Sequence, residues 1–105
     1  MTRHVRWTLA AAALACSLHA HSQDAQALRT SALAATCANC HGTRGRAIEG
    51  SAVPGLAGLQ ASYIVEQMNA FKAGTRQATV MHQLAKGYTD AQIQQLAAYF
   101  AAQAR

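Results

Sequence analysis

The stretch on which the fold turns is Ala34-Ala35-Thr36-Cys37-Ala38-Asn39-Cys40-His41-Gly42, AATCANCHG. Two cysteines stand three positions apart, and a histidine directly follows the second. Only one other cysteine, Cys16, occurs in the 105 residues. The spacing admits three chemistries: a structural metal site, a redox-active dithiol, or a covalent tether for haem. The rest of the chain discriminates among them.

Structural zinc takes four ligands in a tetrahedron. Cys37 and Cys40 supply two. The His41 ring is attached next to Cys40 and reaches the same ion poorly, and His82 still leaves the set one short. A non-haem CxxC thiol-redox protein normally carries its motif at a helix start in a βαβ setting. No segment here alternates β-branched and aromatic residues as a strand would. Haem attachment satisfies the geometry. Two thiols a short turn apart can add to the two vinyl groups on one porphyrin edge, and the adjacent imidazole is carried beneath the ring toward the iron.

The N-terminus agrees with that chemistry. Residues 1–22 read MTRHVRWTLAAAALACSLHAHS: Arg3 and Arg6 form a positive start, Trp7 to Leu18 is an uncharged apolar run, and Ala20-His21-Ser22 offers small residues for cleavage. This is the pattern of a secretory signal peptide. The run is too short for a transmembrane helix, which needs about 20 apolar residues. Leu14-Ala15-Cys16 loosely matches a lipidation signal, but Ala13 stands where a larger aliphatic residue is usual. The expected organisation is therefore a signal peptide over 1–22 and a single domain over 23–105, exported to the periplasm, with no transmembrane span in the mature chain. Cleavage removes two of nine basic residues and none of four acidic ones, so the formal charge falls from +5 to +3. A domain this small gains from a staple, a metal or a cofactor to reinforce its core.

The mature part reads as all-α. Asp24 to about Cys37 is rich in alanine and leucine and leads into the cysteines. Glycines 42, 45, 50, 55 and 58, with Pro54, mark irregular backbone. Ser62 to Lys72 places Ile64, Met68 and Phe71 on one helical face, and Gly74 ends it. A short helix is expected between Ala78 and Lys86, closed by Gly87. Thr89-Asp90-Ala91-Gln92 is a capping box, followed by the apolar stripe Ile93, Leu96, Ala97 and Phe100. Tyr63, Tyr88 and Phe71 sit at helical spacings and are expected in the core. The acids Asp24, Glu49, Glu66 and Asp90 are scattered and form no catalytic pair.

With these residues in place the mature chain resembles the class I c-type cytochromes along essentially its whole length. The resemblance implies three to four helices around one covalent haem c, bound through Cys37-Ala38-Asn39-Cys40-His41. Pro54-Gly55-Leu56-Ala57-Gly58-Leu59 is similar to the family's proline segment, which implies that the Pro54 carbonyl accepts a hydrogen bond from the axial His41. Tyr88-Thr89-Asp90 with Ile93 and Leu96-Ala97-Ala98-Tyr99-Phe100 is similar to the family's C-terminal helix, which crosses the first helix small residue against aromatic. No glycine lies in the first helix, so Ala32 or a neighbouring alanine is expected at the crossing.

Met68, Met81 and His82 are the candidates for a sixth iron ligand. Met68 shares a face with Ile64 and Phe71, a core position. Met81 stands between Gly74 and Gly87, where the family's axial methionine lies, and Thr79-Val80-Met81 matches the local pattern. The resemblance implies Met81, with His82 beside it as the alternative. Thioether ligation favours reduced iron and raises the potential.

Iron held on both sides leaves no site for a substrate, so the expected function is one-electron transfer and not catalysis by this chain alone. Gln67-Met68-Asn69-Ala70-Phe71-Lys72-Ala73-Gly74-Thr75-Arg76 and Ala85-Lys86-Gly87-Tyr88-Thr89-Asp90 further resemble the haem subunit of flavocytochrome c sulfide dehydrogenase. A soluble carrier and such a subunit are the two forms this implies. The partner is then a redox protein, either a flavoprotein subunit or a terminal oxidase or reductase. A haem-based sensor, in which Met81 dissociates and a gas binds, is the alternative from another class. Arg44, Arg46, Lys72, Arg76 and Lys86 form either a basic rim that steers an acidic partner or a plain solvated surface. Nucleic acid is not expected as a partner of an exported protein with this charge and two haem propionates.

Overall fold

The computed structural model describes residues 22–105. The leader expected over 1–22, with Cys16, lies outside them apart from Ser22. Among the described residues the order is α1 (22–35), α2 (Ala38–His41), a 3₁₀ turn (Thr43–Gly45), α3 (Ala61–Ala73), α4 (Met81–Leu84), a second 3₁₀ turn (Ala85–Gly87) and α5 (Asp90–Ala101). These residues contain no strand, and no helix among them is long and apolar enough to cross a membrane.

Three longer helices build the core, and the two single turns carry the motifs. α1 stops earlier than its composition suggests. The Thr36 hydroxyl donates to Leu33 O at 2.7 Å, one of the side-chain bonds that compete with helix propagation. The chain then turns through residues 36–37 and restarts as α2.

α3 ends in a Schellman motif. Gly74 is left-handed, its amide bonds Phe71 O, and the Thr75 amide bonds Ala70 O at 2.9 Å, which satisfies two end carbonyls. α5 opens with the capping box that its sequence announces. Thr89 Oγ1 accepts from the Gln92 amide at 3.2 Å, and Gln92 Oε1 accepts from the Thr89 amide at 2.9 Å.

The core joins Ala34 of α1, Ile64 of α3, and Leu96, Ala97 and Phe100 of α5. Burying each large apolar side chain of this set contributes on the order of 1.5–3 kcal/mol. The expected stripe of α5, Ile93, Leu96, Ala97 and Phe100, is buried throughout. Ala32 is exposed, and its neighbour Ala34, 3% exposed, occupies the packed position with Ala97 and Phe100. A small side chain there lets α1 pack closely on the Ala97 and Phe100 face of α5. Met68 packs against this cluster from α3.

Two aromatic expectations are corrected. Tyr63 is 45% exposed, because it lies on the side of α3 away from Ile64. Phe71 is half-buried and serves as a platform for the Arg76 guanidinium, 4.6 Å from its centroid.

Candidate functional site

The site is built on the single turn α2. Cys37 is its N-cap, with helical dihedrals, and Cys40 sits one turn on. Residues three apart on a helix share a face, so the two sulfurs emerge on one side. Both are free thiols; Cys37 is half-buried and Cys40 exposed. Burial pushes the Cys37 thiol above its ordinary value. The Thr36 and Tyr88 hydroxyls pull back part of that rise, and Cys40 adds to it. A reactive dithiol is favoured by a lowered thiol pKa, and the burial of Cys37 works in the other direction. Nor do the described residues hold any group of three His, Cys, Asp or Glu side chains able to share a metal ion.

His41 closes α2 and is 8% exposed. Its Nδ1 lies 2.7 Å from Pro54 O. A carbonyl can only accept, so Nδ1 carries the proton and donates. In the neutral ring Nε2 then has a free lone pair. A backbone acceptor behind one ring nitrogen is the arrangement that orients a metal-binding imidazole.

Two glycines bring Pro54 to that position. At Gly42 φ is 83°, and a Cβ there would lie 1.8 Å from Arg46 O; only glycine permits the reversal directly after His41. Gly45 is buried, and its carbonyl accepts from the amides of both Leu56 and Ala57, at 2.7 and 3.1 Å. A Cβ at Gly45 would meet Phe100 Cδ1 at 2.8 Å and Ala57 N at 2.9 Å. The loop therefore packs its backbone onto the end of α5, and the Gly58 amide completes the seam by donating to Phe100 O at 2.9 Å.

Met81 is the first residue of α4 and is half-buried. α4 packs against α3, so Met81 comes from a different part of the fold than the cysteine turn. His82 follows it, with a buried Nδ1 that has no hydrogen-bond partner among the described residues. Apolar side chains stand exposed on both segments, Ile48 after His41 and Val80 and Leu84 around Met81.

The basic residues divide. Lys72 Nζ bonds Tyr88 O at 2.8 Å and Asp90 Oδ1 at 3.0 Å, so it ties α3 to the start of α5. Arg76 is held by Phe71 and by Gln67 Oε1. Arg46 Nε donates to Ala104 O at 2.9 Å. Arg44 and Lys86 are exposed, and a cleft of about 490 Å³ runs past Ala38, Gly42, Thr43, Arg44, Arg46 and Ile48. Three of the five cations are thus engaged with main-chain or side-chain partners, and Arg44 and Arg46 share one cleft. The contacts that sequence reasoning missed are those of Gly45 O, Lys72 and the pair Thr36–Tyr88, whose oxygens lie 3.1 Å apart across 52 residues.

A helical frame with two thiols on one turn, an imidazole held by a loop carbonyl and a methionine on a separate turn defines a haem-c-binding electron carrier. The family model described as Cytochrome c matches residues 27–103, and the chain belongs to that family. It is 43% identical over 68 residues to the cytochrome subunit of sulfide dehydrogenase of Chlorobaculum tepidum, covering 65% of this chain and 60% of that one. It is 32% identical over 101 residues to a thiosulfate dehydrogenase electron acceptor of Stutzerimonas stutzeri, covering 91% and 47%. Among solved structures, cytochrome c4 of Acidithiobacillus ferrooxidans superposes with a TM-score of 0.58 at 42% identity, over 62% of this chain and 37% of that one. The chain spans about half the length of these relatives.

The residues present fit a covalent haem c: two free thiols on one face, an imidazole with Nε2 available, and apolar side chains on the segments flanking them.

Proposed function

We propose that this chain is an exported mono-haem cytochrome c that carries single electrons, its haem held through Cys37 and Cys40 and its iron ligated by His41 and Met81. When bound, the haem supplies a one-electron couple whose potential the axial ligands tune. The chain supplies the rest. Cys37 and Cys40 fix the cofactor against loss. Pro54 O holds the Nδ1 proton of His41 and so keeps Nε2 aimed and electron-rich. Met81 contributes a thioether, which favours the reduced state. The observation that carries this reading is the 2.7 Å contact from His41 Nδ1 to Pro54 O beside two unpaired thiols.

The partner class follows from the relatives. One is a subunit of sulfide dehydrogenase and one accepts electrons from thiosulfate dehydrogenase. We infer that this protein takes electrons from a dehydrogenase of reduced sulfur compounds in the periplasm, as a bound subunit or as a free carrier.

Expression in a host that matures c-type cytochromes tests the chemistry. The exported polypeptide is expected to begin near Gln23, to keep a haem stain on a denaturing gel and to show the added mass of one haem. The Cys37→Ala/Cys40→Ala variant is expected to lose the stain. A bare polypeptide mass for the parent protein would overturn the reading. Co-purification decides the form: a tightly bound flavoprotein marks the subunit, and a clean monomer marks the carrier.

A further inference from the structure

Met81 approaches from α4, so the α4 segment must be fixed against the turn that bears the cysteines. The contacts able to do this converge on Tyr88. Its phenol is half-buried against the core cluster. The Thr36 hydroxyl is committed to Leu33 O at 2.7 Å, so in the contact of 3.1 Å between Thr36 Oγ1 and Tyr88 Oη the tyrosine is the donor. Thr36 adjoins Cys37, and this bond therefore ends on the cysteine turn itself.

The main chain of Tyr88 is held as well. Its carbonyl accepts from Lys72 Nζ at 2.8 Å, and its amide donates to Ala85 O at 3.3 Å. From Met81 to Gly87 the chain runs as α4 and then a 3₁₀ turn without interruption. A segment wound in this way moves as one piece, so a restraint at Tyr88 is felt at Met81.

We infer that the Tyr88 hydroxyl, acting through Thr36, is a positioning group for Met81: it latches the α4 segment onto the cysteine turn and so keeps the thioether sulfur on the iron. This rests on the ligation by Met81 proposed above. Without the latch the segment lifts more often, and an external ligand that needs the open state binds in proportion to the open fraction. Loss of one hydrogen bond shifts such an equilibrium by roughly two- to tenfold.

The test uses the mature holo-cytochrome and reads carbon monoxide affinity in the reduced form, the far-red sulfur-to-iron charge-transfer band in the oxidised form, and the global unfolding midpoint. Tyr88→Phe and Thr36→Val are each expected to raise carbon monoxide affinity roughly twofold or more and to make the band fade at a lower temperature. Thr36→Ser should restore the parent behaviour, and the double variant should change no more than Thr36→Val alone, which removes the shared bond together with the one to Leu33 O. Thr36 is exposed, so Thr36→Val carries the test should Tyr88→Phe fail to accumulate. A lowered unfolding midpoint with unchanged band and affinity would show that the bond is merely structural and would overturn the inference, as would additive effects of the two substitutions. Met81→Ala separates the two levels. If it keeps the band, the ligand assignment falls and the latch with it; if it loses the band while the hydroxyl variants are silent, the latch alone falls.

Discussion

His41 Nδ1 donates to the carbonyl oxygen of Pro54 at 2.7 Å, between residues 13 apart in sequence. The distance is short for a nitrogen donor, and the imidazole is almost wholly buried, where a hydrogen bond is stronger than in water. The position of that oxygen depends on the loop between Gly45 and Gly58, and among the described residues this is the one hydrogen bond between that loop and the His41 ring. The stability of the loop and the orientation of the ring are therefore coupled.

Gly45→Ala tests the coupling. The added methyl would lie 2.8 Å from Phe100 Cδ1 and 2.9 Å from Ala57 N, at a φ of 77°. Backbone strain and overpacking together are expected to cost about 2–4 kcal/mol in denaturant unfolding. Gly50→Ala has a similar φ of 76° and nothing within 4 Å, so it should cost only the left-handed penalty, about 1–2 kcal/mol.

Met68 and Met81 should separate spectroscopically. Met81→Ala is expected to abolish the sulfur-to-iron band of the oxidised holoprotein. Met68→Ala is expected to leave the band and to lose about 1–2 kcal/mol of stability, less than the full value for a core methionine because Met68 is only half-buried. Loss of the band in the Met68 variant alone would reverse the assignment.

At the crossing of α1 and α5, Ala97 is 0% exposed. Ala97→Leu should force the helices apart and cost about 1–3 kcal/mol, seen as a lower thermal midpoint. The same change at the exposed neighbour Ala98 should stay within about 0.5 kcal/mol of the parent.

Thr89→Ala removes the acceptor for the Gln92 amide, a bond of 3.2 Å at the first turn of α5. A stability loss of about 1 kcal/mol is expected, readable as a shift in denaturant midpoint with no change in the haem spectrum. A simultaneous change in that spectrum would mean that the cap also governs the α4 segment.

Local signals carried most of the fold. The capping box at Thr89, the stripe from Ile93 to Phe100 and the stop at Gly74 each act within one or two turns, so spacing alone exposes them. The cysteine turn was legible for the same reason. Contacts that join distant segments were not. Nothing in the neighbourhood of Thr36 announces Tyr88, and nothing about Lys72 marks it as the donor to Tyr88 O in preference to solvent. The choice of Ala34 over Ala32 depends on how α1 is rotated against α5, and an alanine-rich helix has no side-chain pattern that sets that rotation. Tyr63 was misplaced for a related reason: it adjoins the buried Ile64, and one residue along a helix is a rotation of about 100° out of the core.

The imidazole's acceptor is a peptide oxygen, and a peptide oxygen is present whatever side chain stands at position 54. Random point changes there leave the acceptor atom in place and alter only the path of the polypeptide around it. Inherited variation in the redox poise of this protein should then arise from residues that steer the loop's course, Gly45 and its seat on Phe100 foremost, and an engineer seeking to retune it has more leverage there than at the proline.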